Sequence, residues 1–122
     1  MRRAPLIAVV GICAVGKSTL VQQLRHRGYA AVEVAQEHSE IPYLWARHSP
    51  DLLVHLDARD EIVAARRSYL HSERLRIERQ LLSYARRKAD LTIDVSDMEE
   101  SEVLCRVLEA LTNETADLDP GS

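Results

Sequence analysis

Residues 11–18 read Gly-Ile-Cys-Ala-Val-Gly-Lys-Ser and match the pattern G-x-x-x-x-G-K-[ST]. Glycines at these positions let the backbone curl closely around an anion, and its N–H groups and the start of the following helix then point at a phosphate. The apolar residues 6–10 precede the pattern, and Leu20, Val21 and Leu24 follow it at helical spacing. This order of strand, glycine loop and helix predicts a phosphate-binding loop.

The last two residues of the pattern carry its chemistry. We expect Lys17 to reach the β- and γ-phosphates of a nucleoside triphosphate, and the Ser18 hydroxyl to bind Mg²⁺. The predicted binding site for the triphosphate is formed by Gly11, Ile12, Cys13, Ala14, Val15, Gly16, Lys17 and Ser18.

Length and composition predict one domain in the cytoplasm. The 122 residues are 46% hydrophobic, as in ordinary globular domains. Membrane spans need roughly 18 consecutive apolar residues, and no such run occurs, so we expect no membrane association. The start Met1-Arg2-Arg3 is followed by a short apolar run that lacks a cleavage site for a signal peptide. Two cysteines, one of them inside the loop, do not predict a disulfide.

Charge is unevenly distributed along the chain. The net charge is −3, yet nine of the 16 Lys and Arg residues lie between Arg59 and Lys88. Such a basic region either captures a polyphosphate electrostatically or is a solvated helix face. Binding to nucleic acid is not expected, because the chain is acidic overall and few aromatic residues interrupt the basic region.

Hydrophobic patterning predicts alternating strands and helices. Gly28 is expected to end the first helix in a left-handed conformation, and Ser96 to Glu99 read as a capping box. Residues 1–112 form the predicted nucleotide-binding domain, and the acidic residues 113–122 a disordered tail. The predicted strands are 6–10, 29–35, 51–56 and 91–95, and the predicted helices are 17–27, 60–88 with a break near 69–72, and 97–111.

This alternation predicts an α/β fold, a three-layer α/β/α sandwich around a short parallel sheet of about four strands. Ligands of such sheets bind beyond the carboxyl ends of the strands. The loop 11–18, the polar residues 36–40 and Asp57 all follow predicted strands. We therefore expect the active site at this edge of the sheet.

Three further segments carry a resemblance to a known family. They are Pro50–Ala58, Asp60–Arg66 and Ala89–Ser96, which look like the family's "L-D" strand, its following helix and its last strand. With the loop they make the chain resemble the small P-loop kinases of the nucleotide-kinase type, which include adenylate, shikimate and dephospho-coenzyme A kinases. The resemblance covers most of residues 5–111. It implies a P-loop NTPase-type fold, ATP as the nucleotide, and Arg66 near the adenine or the phosphates. It also implies that Thr19 contacts the α-phosphate, although Thr19 is alternatively only a hydroxyl at the start of the helix.

The chain departs from this family in two places. Only some fifteen residues separate the second strand from the "L-D" strand, where the family usually has another strand and a helical insertion that binds substrate. The family's pair of lid arginines is imperfect, since Arg66 and Arg67 are adjacent and Leu70 stands where a second arginine is usual. Other candidate lid donors are Arg74, Arg76 and Arg79.

A carboxylate is expected to support Mg²⁺, because one hydroxyl leaves the ion under-coordinated. Asp57 ends an apolar strand and either supports the metal or caps the next helix. Glu37 competes with it, orienting a metal-bound water or accepting a proton from an acceptor hydroxyl. His38 positions a substrate oxygen or is an ordinary surface residue. The predicted catalytic residues are Lys17, Glu37, Asp57 and Arg66, and the predicted metal ligands are Ser18 and Asp57.

These residues predict a phosphotransferase that moves the γ-phosphate of ATP to an unidentified small-molecule acceptor with the help of Mg²⁺. The alternative is a nucleotide-binding module or slow ATPase that has no acceptor. A GTPase switch is not expected, because the chain contains neither N-K-x-D nor D-x-x-G.

Overall fold

The computed structural model describes residues 5–12, 15–67 and 72–117. Its helices and strands follow one another in nearly strict alternation. The strands are β1 (Leu6–Gly11), β2 (Ala30–Glu33), β3 (Leu52–Asp57) and β4 (Leu91–Asp94). The helices are α1 (Lys17–His26), α2 (Asp60–Arg66), α3 (Ser72–Leu81), α4 (Ser83–Lys88) and α5 (Glu100–Asp117), and two short 3₁₀ helices cover Gln36–His38 and Leu44–His48.

The four strands form one parallel sheet in the order β2-β1-β3-β4. In the register of the sheet, Ala8 of β1 pairs with Val32 of β2 and Leu53 of β3, and Leu56 of β3 pairs with Ile93 of β4. The predicted α/β class with four parallel strands is confirmed.

The helices form two groups that pack on different strands of the sheet. Helix α1 packs against β1, β2 and α5, whereas α4 packs against β3 and α3. The central strand β1 is buried from Ile7 to Gly11, and β3 from Leu52 to Leu56, so both faces of these strands are covered. The arrangement is compatible with a three-layer sandwich. No helix within the described residues combines the length and the apolar character needed to cross a membrane.

Two aspartates fix where neighbouring strands begin. The backbone N–H of Asp51 donates to the Leu6 carbonyl at 2.8 Å, and the Leu6 N–H donates back to the Asp51 carboxylate at 2.7 Å. Asp90 makes the same reciprocal pair with Leu53, at 2.9 and 2.7 Å. Since β1 and β3 begin in register, their carboxyl ends also reach the same edge of the sheet.

The ends of α1 and the break after α2 confirm the sequence predictions. Gly28 has φ of 91°, and the N–H groups of Gly28 and Tyr29 donate to the carbonyls of Arg25 and Leu24, a Schellman end. Helix α2 ends at Arg66 and α3 begins at Ser72, around the predicted break. A second break at Leu82 was not predicted, because the sequence there has neither glycine nor proline.

The predicted capping box at Ser96 is wrong. The Ser96 hydroxyl donates to Asp94 at 2.6 Å and accepts from the Arg59 N–H at 2.8 Å, so it joins two loops instead of capping a helix. Helix α5 begins later, at Glu100, where the Glu102 carboxylate reaches back to the Glu99 N–H. It continues to Asp117, past the predicted end, and residues 118–122 of the predicted tail lie outside the described residues.

Candidate functional site

The loop after β1 needs glycine at two positions for different reasons. A Cβ on Gly11 would lie 2.4 Å from the Leu56 carbonyl oxygen of β3, so only glycine lets the two strands come this close. Gly16 has φ of +91° at the N-cap of α1, a left-handed conformation that side chains disfavour. Helix α1 then starts at Lys17. Of the predicted nucleotide-binding residues, Cys13 and Ala14 lie outside the described residues.

Lys17 turns back over the carboxyl end of β1. Its Nζ donates to the carbonyl oxygens of Gly11 at 2.6 Å and Ile12 at 3.0 Å, and to the Glu37 carboxylate at 2.6 Å. The side chain is only 5% exposed. Three acceptors match the three N–H groups of an ammonium ion, which makes burial of the charge tolerable.

Glu37 reaches this point from the 3₁₀ helix Gln36–His38, which follows β2 and packs against β1 and α3. Its side chain is 4% exposed. Lys17 contacts Oε2, while Oε1 is buried with no hydrogen-bond partner among the described residues. An unsatisfied buried carboxylate oxygen is costly, and it marks a place where a ligand hydrogen-bond donor would be accommodated.

Gln36 holds this 3₁₀ helix against the rest of the connection to β3. Its side chain is fully buried, donates to the Ile41 carbonyl at 2.6 Å and accepts from the Trp45 N–H at 3.3 Å. The sequence reasoning did not single out Gln36. Its position at a strand exit, directly before the candidate residue Glu37, was the available signal.

Ser18 lies beside a carboxylate that the sequence reasoning also missed. Its hydroxyl donates to Glu33 Oε2 at 2.7 Å, and both side chains are exposed. Glu33 is the last residue of β2, the strand that pairs with β1. The sequence alone does not show that β2 pairs with β1, so it gives no reason to place Glu33 next to the loop. It pointed to Asp57 instead, because Asp57 ends an apolar strand.

Asp57 is engaged elsewhere. Its Oδ1 accepts from Arg79 Nη1 at 2.7 Å and from the Ala58 N–H at 2.8 Å. Arg79 also contacts Asp60 at 2.6 Å and the Ala58 carbonyl at 2.8 Å. Burial lowers the pKa of Arg79, but the hydrogen bonds to Asp57 and Asp60 outweigh it and raise the pKa above its usual value. These contacts tie α3 to the end of β3.

The remaining predicted arginines lie on α2 and α3, except Arg67, which directly follows α2. Arg66 is the last residue of α2 and is exposed. Arg74 lies on α3, where its Nε is 3.5 Å from the buried Glu78 and its Nη2 is 2.8 Å from Nδ1 of His38. Nε2 of His38 in turn lies 3.7 Å from Glu37. A chain of polar side chains thus leads from the loop lysine to α3.

His55 is a buried titratable group that the sequence reasoning passed over. It lies within β3, is 3% exposed, and its Nδ1 has no hydrogen-bond partner within the part of the chain that is described. Burial lowers the pKa of His55 below its usual value, with smaller contributions from nearby arginines and Lys17, and Asp57 opposes the shift.

The aromatic side chains near the site pack on one another. Tyr43 meets Trp45 with ring centroids 6.1 Å apart and Tyr84 with centroids 5.3 Å apart. The guanidinium of Arg87 lies 5.6 Å from the Tyr84 ring. Tyr43 and Trp45 thus pack against other aromatic side chains of the protein.

The structure therefore brings Lys17, Ser18 and Glu37 to one edge of the sheet, with Glu33 added. Within the described residues, Asp57 makes no hydrogen bond to Lys17 or Ser18. No three His, Cys, Asp or Glu side chains of the described part converge as a metal-binding group. A metal held here would need oxygens from its ligand, as Mg²⁺ commonly does.

In comparisons with known proteins, no family model and no curated protein sequence matches this chain. What the site binds is inferred from its own residues.

Proposed function

We propose that this chain is a P-loop NTPase-type protein that binds ATP with Mg²⁺ at residues 11–18 and transfers the γ-phosphate to a small-molecule acceptor. The observation that carries the proposal is the position of Lys17. Its buried ammonium group stands at the carboxyl end of β1, at the start of α1, held by two loop carbonyls and by Glu37.

The positive charge of Lys17 suits a polyphosphate better than it suits its present partners. Two of the three are neutral carbonyl oxygens, which compensate an ammonium charge less well than anionic oxygens do. A triphosphate at the loop would offer anionic oxygens to Lys17 and to the N–H groups at the start of α1. This exchange supports binding of a nucleoside triphosphate at the loop.

The donor set near the loop fits Mg²⁺. The Ser18 hydroxyl and the Glu33 carboxylate lie within 2.7 Å of each other and supply the hard oxygen atoms that Mg²⁺ prefers. Bound Mg²⁺ would neutralise charge on the β- and γ-phosphates. Asp57 is less suited to this task, because Arg79 and the Ala58 N–H already occupy its Oδ1.

Glu37 is suited to accept the proton of the acceptor. Its Oε1 has no hydrogen-bond partner among the described residues, so a hydroxyl group could donate to it. In the transfer, the acceptor oxygen forms a bond to the γ-phosphorus, the bond from that phosphorus to the oxygen of ADP breaks, and the hydroxyl proton passes to Oε1.

The connection between β2 and β3 supports the alternative of a nucleotide-binding module or slow ATPase. Only residues 34–51 separate the two strands, and they form two 3₁₀ helices that Gln36 draws together. This short connection leaves no room for a helical insertion that would bind an acceptor.

Turnover of ATP separates the two functions. Purified protein is incubated with Mg²⁺, ATP and pools of small hydroxylated metabolites, and ADP, free phosphate and phosphorylated products are measured. A phosphotransferase gives ADP and a phosphorylated acceptor in equal amounts, and Glu37→Gln loses this activity while the exposed Glu40→Gln keeps it. ADP formed with equal free phosphate in every pool identifies an ATPase, and absence of ADP in all pools contradicts catalysis.

A further inference from the structure

We propose that a cavity beside α3 binds the zwitterion of an α-amino acid, and that a hydroxylated amino acid is the acceptor of the γ-phosphate. The acceptor role rests on the proposed function, whereas binding of the amino acid does not. The cavity has a volume of about 490 Å³ and is lined by Asp60, Ser72, Glu73, Arg76 and Arg79. This volume falls within the range of small-molecule sites, roughly 300 to 1,000 Å³.

The cavity lies at the edge of the sheet that carries the loop. Gly11, the first residue of the loop, pairs with Leu56 of β3, and Asp57 follows Leu56 directly. Arg79 lines the cavity and contacts the Asp57 carboxylate at 2.7 Å. A ligand in the cavity is therefore close to the strand end that neighbours the loop, where the short connection between β2 and β3 supplies no acceptor site.

Two of the four charged side chains in the cavity already satisfy each other. Oδ1 of Asp60 accepts from Nη2 and Nε of Arg79 at 2.6 and 3.1 Å. The side chains of Glu73 and Arg76, by contrast, are exposed and make no hydrogen bond or ion pair with any residue that the structure describes. The cavity therefore offers a ligand one free carboxylate and one free guanidinium group.

The spacing of these two free charges suits a small zwitterion. Glu73 and Arg76 lie three residues apart on α3, so they are neighbours on one side of the helix. An α-amino acid carries a carboxylate and an ammonium group on the same carbon atom. Its carboxylate matches the planar guanidinium of Arg76, which can donate two parallel hydrogen bonds, and its ammonium group matches the Glu73 carboxylate.

The charge of the cavity disfavours other classes of acceptor. Its two carboxylates and two guanidinium groups sum to zero. A phosphate ester would bring a dianionic group toward Glu73 and Asp60, and a neutral sugar would leave the charges of Glu73 and Arg76 without a partner. A zwitterion has no net charge and meets each free group with its opposite. This complementarity selects an amino acid over a phosphorylated or a neutral acceptor.

The side-chain hydroxyl of the bound amino acid is the nucleophile in this account. Its oxygen forms a bond to the γ-phosphorus, and the bond from that phosphorus to the oxygen of ADP breaks. The hydroxyl proton passes to the proton acceptor of the proposed transfer. The products are ADP and the phosphate ester of the amino acid.

A series of small substrates tests recognition of the two charges. The protein is incubated with Mg²⁺, ATP and L-serine, L-threonine or L-homoserine, and in parallel with glycerate, which lacks the ammonium group, and ethanolamine, which lacks the carboxylate. Mass spectrometry measures the phosphorylated products. At least one of the three amino acids should be used with a kcat/KM about 10-fold or more above that of both analogues, because each analogue loses one hydrogen bond between charged groups.

Variants of the two free side chains show whether the cavity makes this distinction. Arg76→Gln should raise KM for the amino acid about 10-fold or more and reduce its preference over ethanolamine, whereas Glu73→Gln should reduce its preference over glycerate. A merely structural defect would not act on one analogue selectively. Arg106→Gln and Glu109→Gln, which change exposed residues of the same types and spacing on α5, should keep the wild-type values.

Calorimetry with ATP and Mg²⁺ separates failure of this inference from failure of the proposed function. Phosphorylation of an amino acid that either cavity variant leaves unchanged overturns the assignment, as does equal use of the amino acids and the analogues. If ATP binds and none of the three amino acids is phosphorylated, the acceptor role fails while the proposed function stands. If ATP does not bind, both fail, and calorimetry with the amino acids in the absence of nucleotide decides the rest. Binding that Arg76→Gln removes supports the site, and no binding overturns it.

Discussion

Lys17 and Glu37 form an ion pair with a 2.6 Å contact in which the two side chains are 5% and 4% exposed. The pair joins the first residue of α1 to the 3₁₀ helix that follows β2. In a buried pair, the mutual attraction roughly offsets the loss of hydration, but removing one partner leaves the other charge uncompensated. The pair therefore ties the free protein together at the place where we propose that the triphosphate binds.

Glu37→Gln should weaken the fold of the free protein without weakening nucleotide binding. The change leaves the Lys17 charge buried among neutral oxygen acceptors, with no carboxylate to compensate it, which should lower the free energy of unfolding by about 3 kcal/mol. Affinity for Mg²⁺ and ATP should be equal or higher, because Glu37 no longer competes for Lys17. Urea denaturation and calorimetry measure the two effects. A variant as stable as the exposed control Glu40→Gln would show that the pair does not support the fold.

Removing the charge of Glu33 should affect Mg²⁺ binding, whereas removing the charge of Asp57 should affect only stability. Glu33→Gln should raise the Mg²⁺ concentration needed for nucleotide binding, since Glu33 contacts Ser18. Asp57→Asn should leave that concentration unchanged and lower the free energy of unfolding by about 1 kcal/mol, because it weakens the partly exposed pair with Arg79. Magnesium titrations at fixed ATP separate the two. If only Asp57→Asn needed a higher Mg²⁺ concentration, Asp57 rather than Glu33 would be the carboxylate that supports the metal.

Glu33 and Asp57 show which features of the site could not be predicted from the sequence. The order of strands and helices follows from hydrophobic periodicity and from the glycine pattern, which act locally. The neighbours of Asp57 and Glu33 depend on which strands pair, and the sequence does not state that β2 lies beside β1. Both residues end strands, but only the pairing brings Glu33 to Ser18 and only the packing of α3 brings Arg79 to Asp57.

Gly11→Ala should destabilise the fold by steric conflict. The added Cβ would lie 2.4 Å from the Leu56 carbonyl oxygen, and strands β1 and β3 would have to separate. A loss of about 2 to 3 kcal/mol in the free energy of unfolding is expected. Gly28→Ala is the control, because its Cβ would meet no atom within 4 Å and its cost of about 1 kcal/mol arises from φ of +91° alone. Equal losses in the two variants would argue against close packing at Gly11.

Capping and helix ends were harder to predict for a related reason. Ser96 has the sequence of a helix cap, yet the nearby Asp94 and the Arg59 N–H use its hydroxyl. The break at Leu82 separates α3 from α4 although the surrounding residues include neither glycine nor proline. At Ser96, hydrogen bonds to residues outside the helix replace the local capping preference.

His55 should make the fold sensitive to acid. Burial lowers the pKa of His55 from its usual 6.5, so below about that pH the unfolded chain binds more protons than the folded protein does. The stability contributed by neutral His55 is complete above the usual pKa and is lost as the pH falls toward the folded pKa.

The variant His55→Leu should therefore lose less stability than wild type between about pH 7.5 and pH 5, as followed by urea denaturation. The exposed His26→Leu controls for the loss of one histidine and should retain the wild-type dependence on pH. Identical pH profiles for His55→Leu and wild type would contradict a buried neutral His55.

The affinity for ATP in the presence of Mg²⁺, measured by calorimetry for wild type and Lys17→Ala, tests the central claim most directly. Lys88, the other lysine of the chain, is exposed, and Lys88→Ala serves as the control. The double variant Lys17→Ala/Glu37→Gln removes the buried carboxylate charge that Lys17→Ala would leave without its cation. We predict that both variants lacking Lys17 bind ATP more weakly by about 2 kcal/mol or more, roughly 30-fold, and that Lys88→Ala binds as wild type does. Equal affinity in wild type and the Lys17 variants, or no binding by wild type, would contradict the account.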